Sequence, residues 1–191
     1  MSKQTYQYRQ EKSILFGMRN TYEFTDKEYR TLYTFFVTYS LCKSLSWQKK
    51  DLKFYGWDGS YKDTVKSLVE SVMAPDDIVV IGNDKPSNTL KQKMEEYGLN
   101  NGPLGDVDME RAVVVDKNED NKFYNLCYHI RNCLAHGKFA LIYGTKGQKM
   151  IVFQDDDRNN VTGRMVIALD TLLTWIKNID KNGRICESWE D

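Results

Sequence analysis

The chain has 191 residues, of which 41% are hydrophobic and 28% charged, and its 27 basic and 27 acidic residues leave no net charge. This size and balance are typical of one globular domain with a sizeable core. The zero net charge argues against a large basic face for capturing nucleic acid, and the apolar runs are too short to span a bilayer.

The first 24 residues are polar with scattered aromatic residues, so we predict a loose arm rather than a signal peptide. A helix follows, with Thr25 or Asp26 as its N-cap, because apolar residues recur at helical spacing to about Trp47. Five elements are predicted between residues 48 and 105: a loop over 48–60, a helix over 61–73, an apolar run at 78–81 that fits a strand or a buried helix piece, a helix over 86–97 and a loop over 98–105.

The second half of the chain begins with an ambiguous apolar run at 111–115. Asp116 followed by Glu119 resembles a capping box and predicts a helix over 118–136. Two apolar runs around the turn G-T-K-G predict a β-hairpin. The remaining predictions are a polar loop over 155–160, a third strand over 164–169 and a last helix capped by Asp170.

The helix over 118–136 ends on Arg131, Asn132 and His136, followed by Gly137. Residues five apart lie about 140° apart around a helix axis, so Arg131 and His136 are offset, whereas Asn132 and His136 share a face. Glycine readily takes the left-handed conformation that ends a helix. We therefore predict that Gly137 holds the imidazole at a partly exposed edge.

This helix end has the residue types for cleaving a phosphodiester. The helix C-terminus favours imidazolium and the arginine favours neutral imidazole, so His136 is suited to proton transfer. A guanidinium binds a phosphate through a bidentate fork. Arg131 and His136 are therefore suited to catalysing the attack of an RNA 2′-hydroxyl on the adjacent phosphodiester, a reaction that requires no metal or cofactor. The alternative is a histidine C-cap beside a surface arginine.

Two metal-binding hypotheses also arise from the sequence. Cys127, His129, Cys133 and His136 lie within ten residues, but Cys127 points away from the others and a fourth zinc ligand is missing. The run Asp155 to Asp157 has the carboxylates for a cation, although a solvated hairpin loop is the favoured interpretation. The four cysteines (Cys42, Cys127, Cys133, Cys186) lack C-x-x-C spacing, so we expect free thiols in a reducing cytoplasm.

The stretch H-I-R-N-C-L-A-H-G-K-F, residues 129–139, resembles the Arg-x4-His signature of the HEPN superfamily. These helical-bundle proteins include many toxin and antiviral ribonucleases. The position after the arginine is commonly polar in that family, and Asn132 matches. The following hairpin and the segment up to residue 179 are similar to a plasmid-borne subgroup of small HEPN proteins.

The resemblance implies that Arg131 and His136 are the catalytic pair, with Asn132 in support. It implies a homodimer, in which two such helix ends form one composite cleft, an RNA substrate and an antitoxin protein as partner. Some HEPN toxins carry a tyrosine two residues after the histidine, where a nucleotidyltransferase modifies them. This chain has Lys138 there, for which the two interpretations are a contact with the RNA backbone and, as the favoured alternative, an ordinary solvated lysine; we expect His129 also to bind substrate.

Together these inferences predict a mainly α-helical, HEPN-like bundle with a small C-terminal β-hairpin. Residues 1–191 are expected to form a single cytoplasmic domain, with 48–117 as a candidate insertion. The predicted function is a metal-independent endoribonuclease in a toxin–antitoxin or antiphage role. The alternative is a non-catalytic HEPN module that binds RNA, a nucleotide or a protein partner, because superfamilies often keep a fold and lose its chemistry.

Overall fold

One mixed sheet of five strands forms the centre of the chain. The computed structural model describes residues 13–15, 17–42, 51–58, 62–73, 75–82, 87–100, 102, 104–119, 121–158 and 160–185. The strands are β1 (Ile78–Ile81), β2 (Arg111–Val115), β3 (Phe139–Tyr143), β4 (Lys149–Asp157) and β5 (Asn160–Ala168). Their order is β1-β2-β5-β4-β3, with β1 and β2 parallel and the other pairs antiparallel. The prediction of a mainly α-helical bundle with one small hairpin is therefore wrong.

The central strands are difficult to recognise in the sequence because both faces of the sheet are covered. On β2, Ala112 and Val114 belong to one core and Val113 to the core on the opposite face. A strand buried on both faces shows a continuous apolar run instead of polar and apolar alternation. For this reason 78–81 and 111–115 were ambiguous, and both are strands that lie within the region 48–117.

The helices lie on the two faces of the sheet. They are α1 (Asp26–Tyr33), α2 (Lys62–Glu70), α3 (Ser87–Glu96), α4 (Lys122–His136) and α5 (Leu169–Ile179). The larger core lies between the sheet and α1, α2, α4 and α5, whereas α3 and the segment around Ile14 cover the opposite face. None of the helices in the described parts of the chain has the length and apolar composition needed to cross a bilayer.

Helix α1 begins as predicted and ends earlier than predicted. The Thr25 hydroxyl accepts from the Glu28 amide at 3.2 Å, and the Glu28 carboxylate accepts from the Thr25 amide at 2.8 Å, which completes a capping box. A π-helical turn, Thr34–Thr38, follows α1, and the backbone leaves helical geometry at Tyr39. A run of aromatic and β-branched residues restricts side-chain rotamers in a helix, which accounts for the early end. Residues 43–50 lie outside the described part of the chain.

The predicted loose arm packs against the sheet over its described residues. The Ile14 amide donates to Gln154 Oε1 at 3.0 Å, and the Thr21 amide donates to the carbonyl oxygen of Leu141 at 2.7 Å. The side chain of Ile14 is fully buried. The arm prediction is thus wrong from residue 13 onward, because these apolar and backbone groups find partners on β3 and β4; residues 1–12 lie outside the described part.

Candidate functional site

Helix α4 presents the Arg-x4-His stretch, and both of its ends are defined by local bonding. The Asn121 side chain caps the first turn by accepting from the Tyr124 amide at 2.9 Å. The predicted capping box at Asp116 is wrong, because its carboxylate accepts from the Asn118 amide in a tight turn instead. At the other end Gly137 is left-handed, with φ of 65°, as predicted.

The structure places Arg131 and His136 at different depths. His136 is the last residue of α4 and is exposed, whereas Arg131 is half-buried. Arg131 Nη1 donates to Asn132 Oδ1 at 3.1 Å. Among the described residues, none forms a hydrogen bond or ion pair with the imidazole of His136. The helix end therefore combines an oriented guanidinium with an imidazole that is accessible for proton transfer.

The amide of Asn132 is held between two charged groups. Its Nδ2 donates to Asp155 Oδ2 at 3.3 Å, and its Oδ1 accepts from Arg131. A carboxylate only accepts and a guanidinium only donates, so this is the amide orientation that satisfies both partners. The Tyr128 side chain lies next to this amide, one turn earlier on α4. Asn132 is thus fixed in place before any substrate binds.

His129 lies beneath this surface and not on it. Its side chain has 0% exposure, its Nδ1 lies 2.6 Å from Asp155 Oδ2, and its Nε2 donates to the carbonyl oxygen of Val115 at 2.8 Å. Both neighbours are hydrogen-bond acceptors when Asp155 is ionised, so each ring nitrogen carries a proton. The structure therefore buries the residue predicted to contact substrate and makes it half of an imidazolium–carboxylate pair.

The environment of Asp155 keeps its carboxylate ionised. Burial is the largest influence and by itself raises the pKa of Asp155, but the hydrogen bond and charge of His129 outweigh it, with further hydrogen bonds from Asn132 and Thr162. The net result is a pKa below the usual range for aspartate. Asp155 is only 3% exposed. This buried charge therefore has the partners that a buried carboxylate needs.

A β-bulge in the sheet lies beside the cluster formed by Tyr128, His129, Asn132, Asp155 and Thr162. Asp155 pairs with Gly163 and Asp156 pairs with Val161, so Thr162 is an extra residue on β5. Such a bulge turns a side chain out of the regular alternation, and the Thr162 hydroxyl donates to Asp155 Oδ2 at 3.0 Å. A Cβ at Gly163 would lie 3.1 Å from His129 Nδ1. Glycine therefore leaves the space in which the imidazole packs against the strand.

One lysine, Lys138, lies directly after the helix end, and another, Lys117, lies beside Tyr128 about two turns earlier on α4. Lys138 forms an ion pair with Asp156 at 2.8 Å, and its Nζ also donates to the Asp156 carbonyl oxygen at 3.4 Å. Lys117 Nζ lies 5.9 Å from the centroid of the Tyr128 ring. An RNA phosphate would therefore compete with Asp156 for Lys138, which remains a predicted substrate contact.

Neither metal-binding hypothesis matches the structure. The described residues contain no group of three or more His, Cys, Asp or Glu side chains that could hold a metal ion. Cys127 and Cys133 are buried, and burial raises the pKa of both thiols well above the ordinary value. The acidic run is part of β4 and not a solvated loop, with Asp155 turned inward. Cys42 is a free thiol like these two, and Cys186 lies outside the described residues.

Three residues of the cluster were missed by the sequence analysis as site residues: Tyr128, Asp155 and Thr162. Tyr128 was placed on α4 but given no role, although it is one turn from Asn132. Side chains alternate between the two faces of a strand. If the predicted strand had been extended through K-M-I-V-F-Q-D-D-D, Asp155 would have been placed on the same face as Phe153 and Ile151. Nothing in the sequence marks the bulge that turns Thr162.

Comparison with known proteins identifies one relationship. A family model described as HEPN pEK499 p136 matches residues 4–181, which is most of the chain and includes α4 and the whole sheet. No curated protein and no solved structure matches the chain significantly.

Proposed function

The chain belongs to the HEPN pEK499 p136 family, and on that premise we propose that it is a metal-independent endoribonuclease that cleaves RNA through the RNA's own 2′-hydroxyl. The observation that carries the proposal is the end of α4. There an exposed imidazole, His136, follows a half-buried guanidinium, Arg131, that Asn132 holds by a hydrogen bond at 3.1 Å. This arrangement supports proton transfer beside a bound phosphate.

The proposed reaction assigns one role to each residue. His136 removes the proton of the 2′-hydroxyl, the 2′-oxygen bonds to phosphorus, and the bond from phosphorus to the 5′-oxygen breaks. The same imidazole, or that of a second copy, returns a proton to the 5′-oxygen. Arg131 stabilises the additional negative charge on the phosphate oxygens, and Asn132 orients Arg131. The products are a 2′,3′-cyclic phosphate and a 5′-hydroxyl, and DNA is not cut because it lacks the nucleophile.

We further propose that the working form is a homodimer. Arg131 and His136 are five positions apart on α4, so their directions around the axis differ by about 140°. Two copies that bring their α4 ends together would supply an arginine and a histidine to one phosphate from different helices. Light scattering should then give twice the chain mass of 22.3 kDa, and a mass of 22.3 kDa at the concentrations at which the protein cuts RNA would rule out the composite cleft.

We place the activity in a toxin–antitoxin or antiphage role, which rests on the family alone. Lys138 stands where some HEPN toxins have the tyrosine that a partner enzyme modifies, so inactivation by that modification is not expected. Expression of the wild-type chain should arrest growth of a bacterial host, and His136→Ala should not. Equal growth with both chains would remove the toxin role and leave cleavage of RNA to be judged by itself.

The experiment that tests the activity is cleavage of a mixed RNA pool in EDTA. We expect the wild type to cut and leave 2′,3′-cyclic phosphates, and His136→Ala to be inactive. Arg131→Lys keeps the charge but loses the bidentate fork, so we expect a loss of about 100- to 1000-fold in kcat. Lys146→Ala, an exposed change in the β3–β4 turn, is the control. A folded wild type that binds RNA and leaves it intact would favour the non-catalytic HEPN module.

A further inference from the structure

The Arg-x4-His residues are linked through Asn132 to a buried carboxylate, Asp155, that is not part of the motif. We propose that Asp155 is a positioning residue, which aims the guanidinium of Arg131 through the amide of Asn132. The proposal rests on the proposed ribonuclease function for its effect on rate. Its geometry is independent of that function, because it concerns contacts within the folded chain.

The carboxylate of Asp155 is held rigidly. One oxygen, Oδ2, lies 2.6 Å from His129 Nδ1, 3.0 Å from the Thr162 hydroxyl and 3.3 Å from Asn132 Nδ2. These donors come from helix α4 and from the bulge in β5, while Asp155 itself is on β4. Bonds from two other elements therefore fix the carboxylate, and it has 3% exposure to solvent.

The Asp155 carboxylate sets the orientation of the Asn132 side-chain amide. The ionised carboxylate of Asp155 can only accept hydrogen bonds, so Asn132 must direct Nδ2 toward Asp155 on the sheet. Its Oδ1 then faces Arg131. A flipped amide would set its NH2 group against a guanidinium, which also has only donors. Asp155 thereby decides which atom of Asn132 meets Arg131. It does so from the sheet, without touching the substrate.

The bond from Asn132 to Asp155 is separate from the bonds that satisfy the buried ion pair. The His129–Asp155 pair has Val115 and Thr162 as additional partners, so the pair does not require Asn132 to be satisfied. The bond to Asn132 is the one that leads outward to Arg131. Replacing a buried ion pair by apolar residues of similar volume is often neutral for stability, whereas it would remove the anchor of the amide. Replacing both members of the pair therefore removes the anchor at a smaller cost in stability than removing one charge alone.

The test compares three variants with the wild type. Asp155→Leu removes the acceptor oxygen, and the double variant His129→Leu/Asp155→Leu replaces the whole pair by an apolar contact. Asp157→Asn is the matched control, since it removes the same charge from the exposed end of the same strand. We expect both site variants to lower kcat by about 10- to 100-fold, the size of loss found for residues that orient metal ligands, and to leave KM within threefold, because neither residue touches the substrate. Asp157→Asn should leave kcat unchanged.

A structural readout makes the test independent of catalysis. In ¹⁵N NMR spectra of the wild type, we expect the Asn132 side-chain amide protons to be protected from exchange and the His129 imidazole to carry two protons. In the double variant the Asn132 protection should be lost. If wild-type RNA cleavage fails and these signals are present, the proposed function is wrong and the positioning stands. A folded double variant with protected Asn132 protons or wild-type kcat would overturn the proposal.

Discussion

His129 Nδ1 lies 2.6 Å from Asp155 Oδ2 beneath α4, in a pair that is shielded from solvent. The second histidine of the chain, His136, is exposed at the end of the same helix. The two histidines therefore have separate tasks. One is bound on both ring nitrogens and holds the helix to the sheet, and the other is available for proton transfer.

The two histidines should differ in their effect on stability. His129→Leu leaves the Asp155 carboxylate buried without its cationic partner, which typically lowers the free energy of unfolding by about 3–5 kcal/mol. His136→Ala removes an exposed side chain and should change it by less than about 0.5 kcal/mol. Urea unfolding monitored by tryptophan fluorescence measures both. Similar losses in the two variants would contradict the assignment of His129 to the interior and of His136 to the surface.

Stability should fall in acid because of Asp155. Its folded-state pKa is below the usual value, since the bonds and charge of His129 outweigh burial, so the folded state binds this proton less readily than the unfolded chain. The contribution is complete above the unfolded pKa of about 3.9 and is lost as the pH falls through the lower folded pKa.

The measurement for this prediction is the free energy of unfolding between pH 7 and pH 3 for the wild type and Asp155→Asn. The wild type should lose more stability than the variant below about pH 4, because the variant has no carboxylate to protonate there. The comparison is Asp157→Asn, because the carboxylate of Asp157 is exposed in the wild type. Parallel curves for the wild type and Asp155→Asn would show that Asp155 is not held ionised in the fold.

The end of α4 depends on a backbone conformation that glycine adopts readily. A Cβ at Gly137 would contact nothing within 4 Å, but its φ of 65° is left-handed. Gly137→Ala should therefore lower the free energy of unfolding by about 1–2 kcal/mol. Gly105→Ala is a matched control, since a Cβ there also meets nothing and no left-handed φ is involved. Thermal unfolding that gives equal losses for the two changes would remove the conformational explanation.

The cysteines of α4 should be chemically inert in the folded protein. Burial raises the thiol pKa of Cys127 and of Cys133 well above the ordinary value, and Cys42 is also fully buried. The thiolate is the reactive form, so little of it is present. In a Cys186→Ser background, a disulfide reagent should modify no thiol in the native state and three in guanidinium chloride. Rapid modification of one thiol in the native state would indicate an open path to α4.

Sequence patterns predicted those parts of the protein that depend on neighbouring residues. The N-cap at Thr25, one of the two residues predicted for it, and the left-handed Gly137 follow from side chains and backbone within one helical turn. The hairpin of β3 and β4 follows from a short glycine turn between two apolar runs. The Arg-x4-His stretch was recognised because all of its residues lie on one helix, and the family match over residues 4–181 agrees with it.

Tertiary structure alone decided the mixed sheet and the support beneath the site. β1 pairs with β2, and β2 pairs with β5, across long sequence separations, and burial on both faces removes the alternation that identifies a strand. Asp155 lies within a polar run that resembles a loop; strand periodicity gives the face on which it lies, but only the packing of α4 on the sheet brings it against His129. Contacts between distant segments leave no local spacing in a sequence, so the roles of Asp155, Thr162 and His129 emerge only in the folded chain.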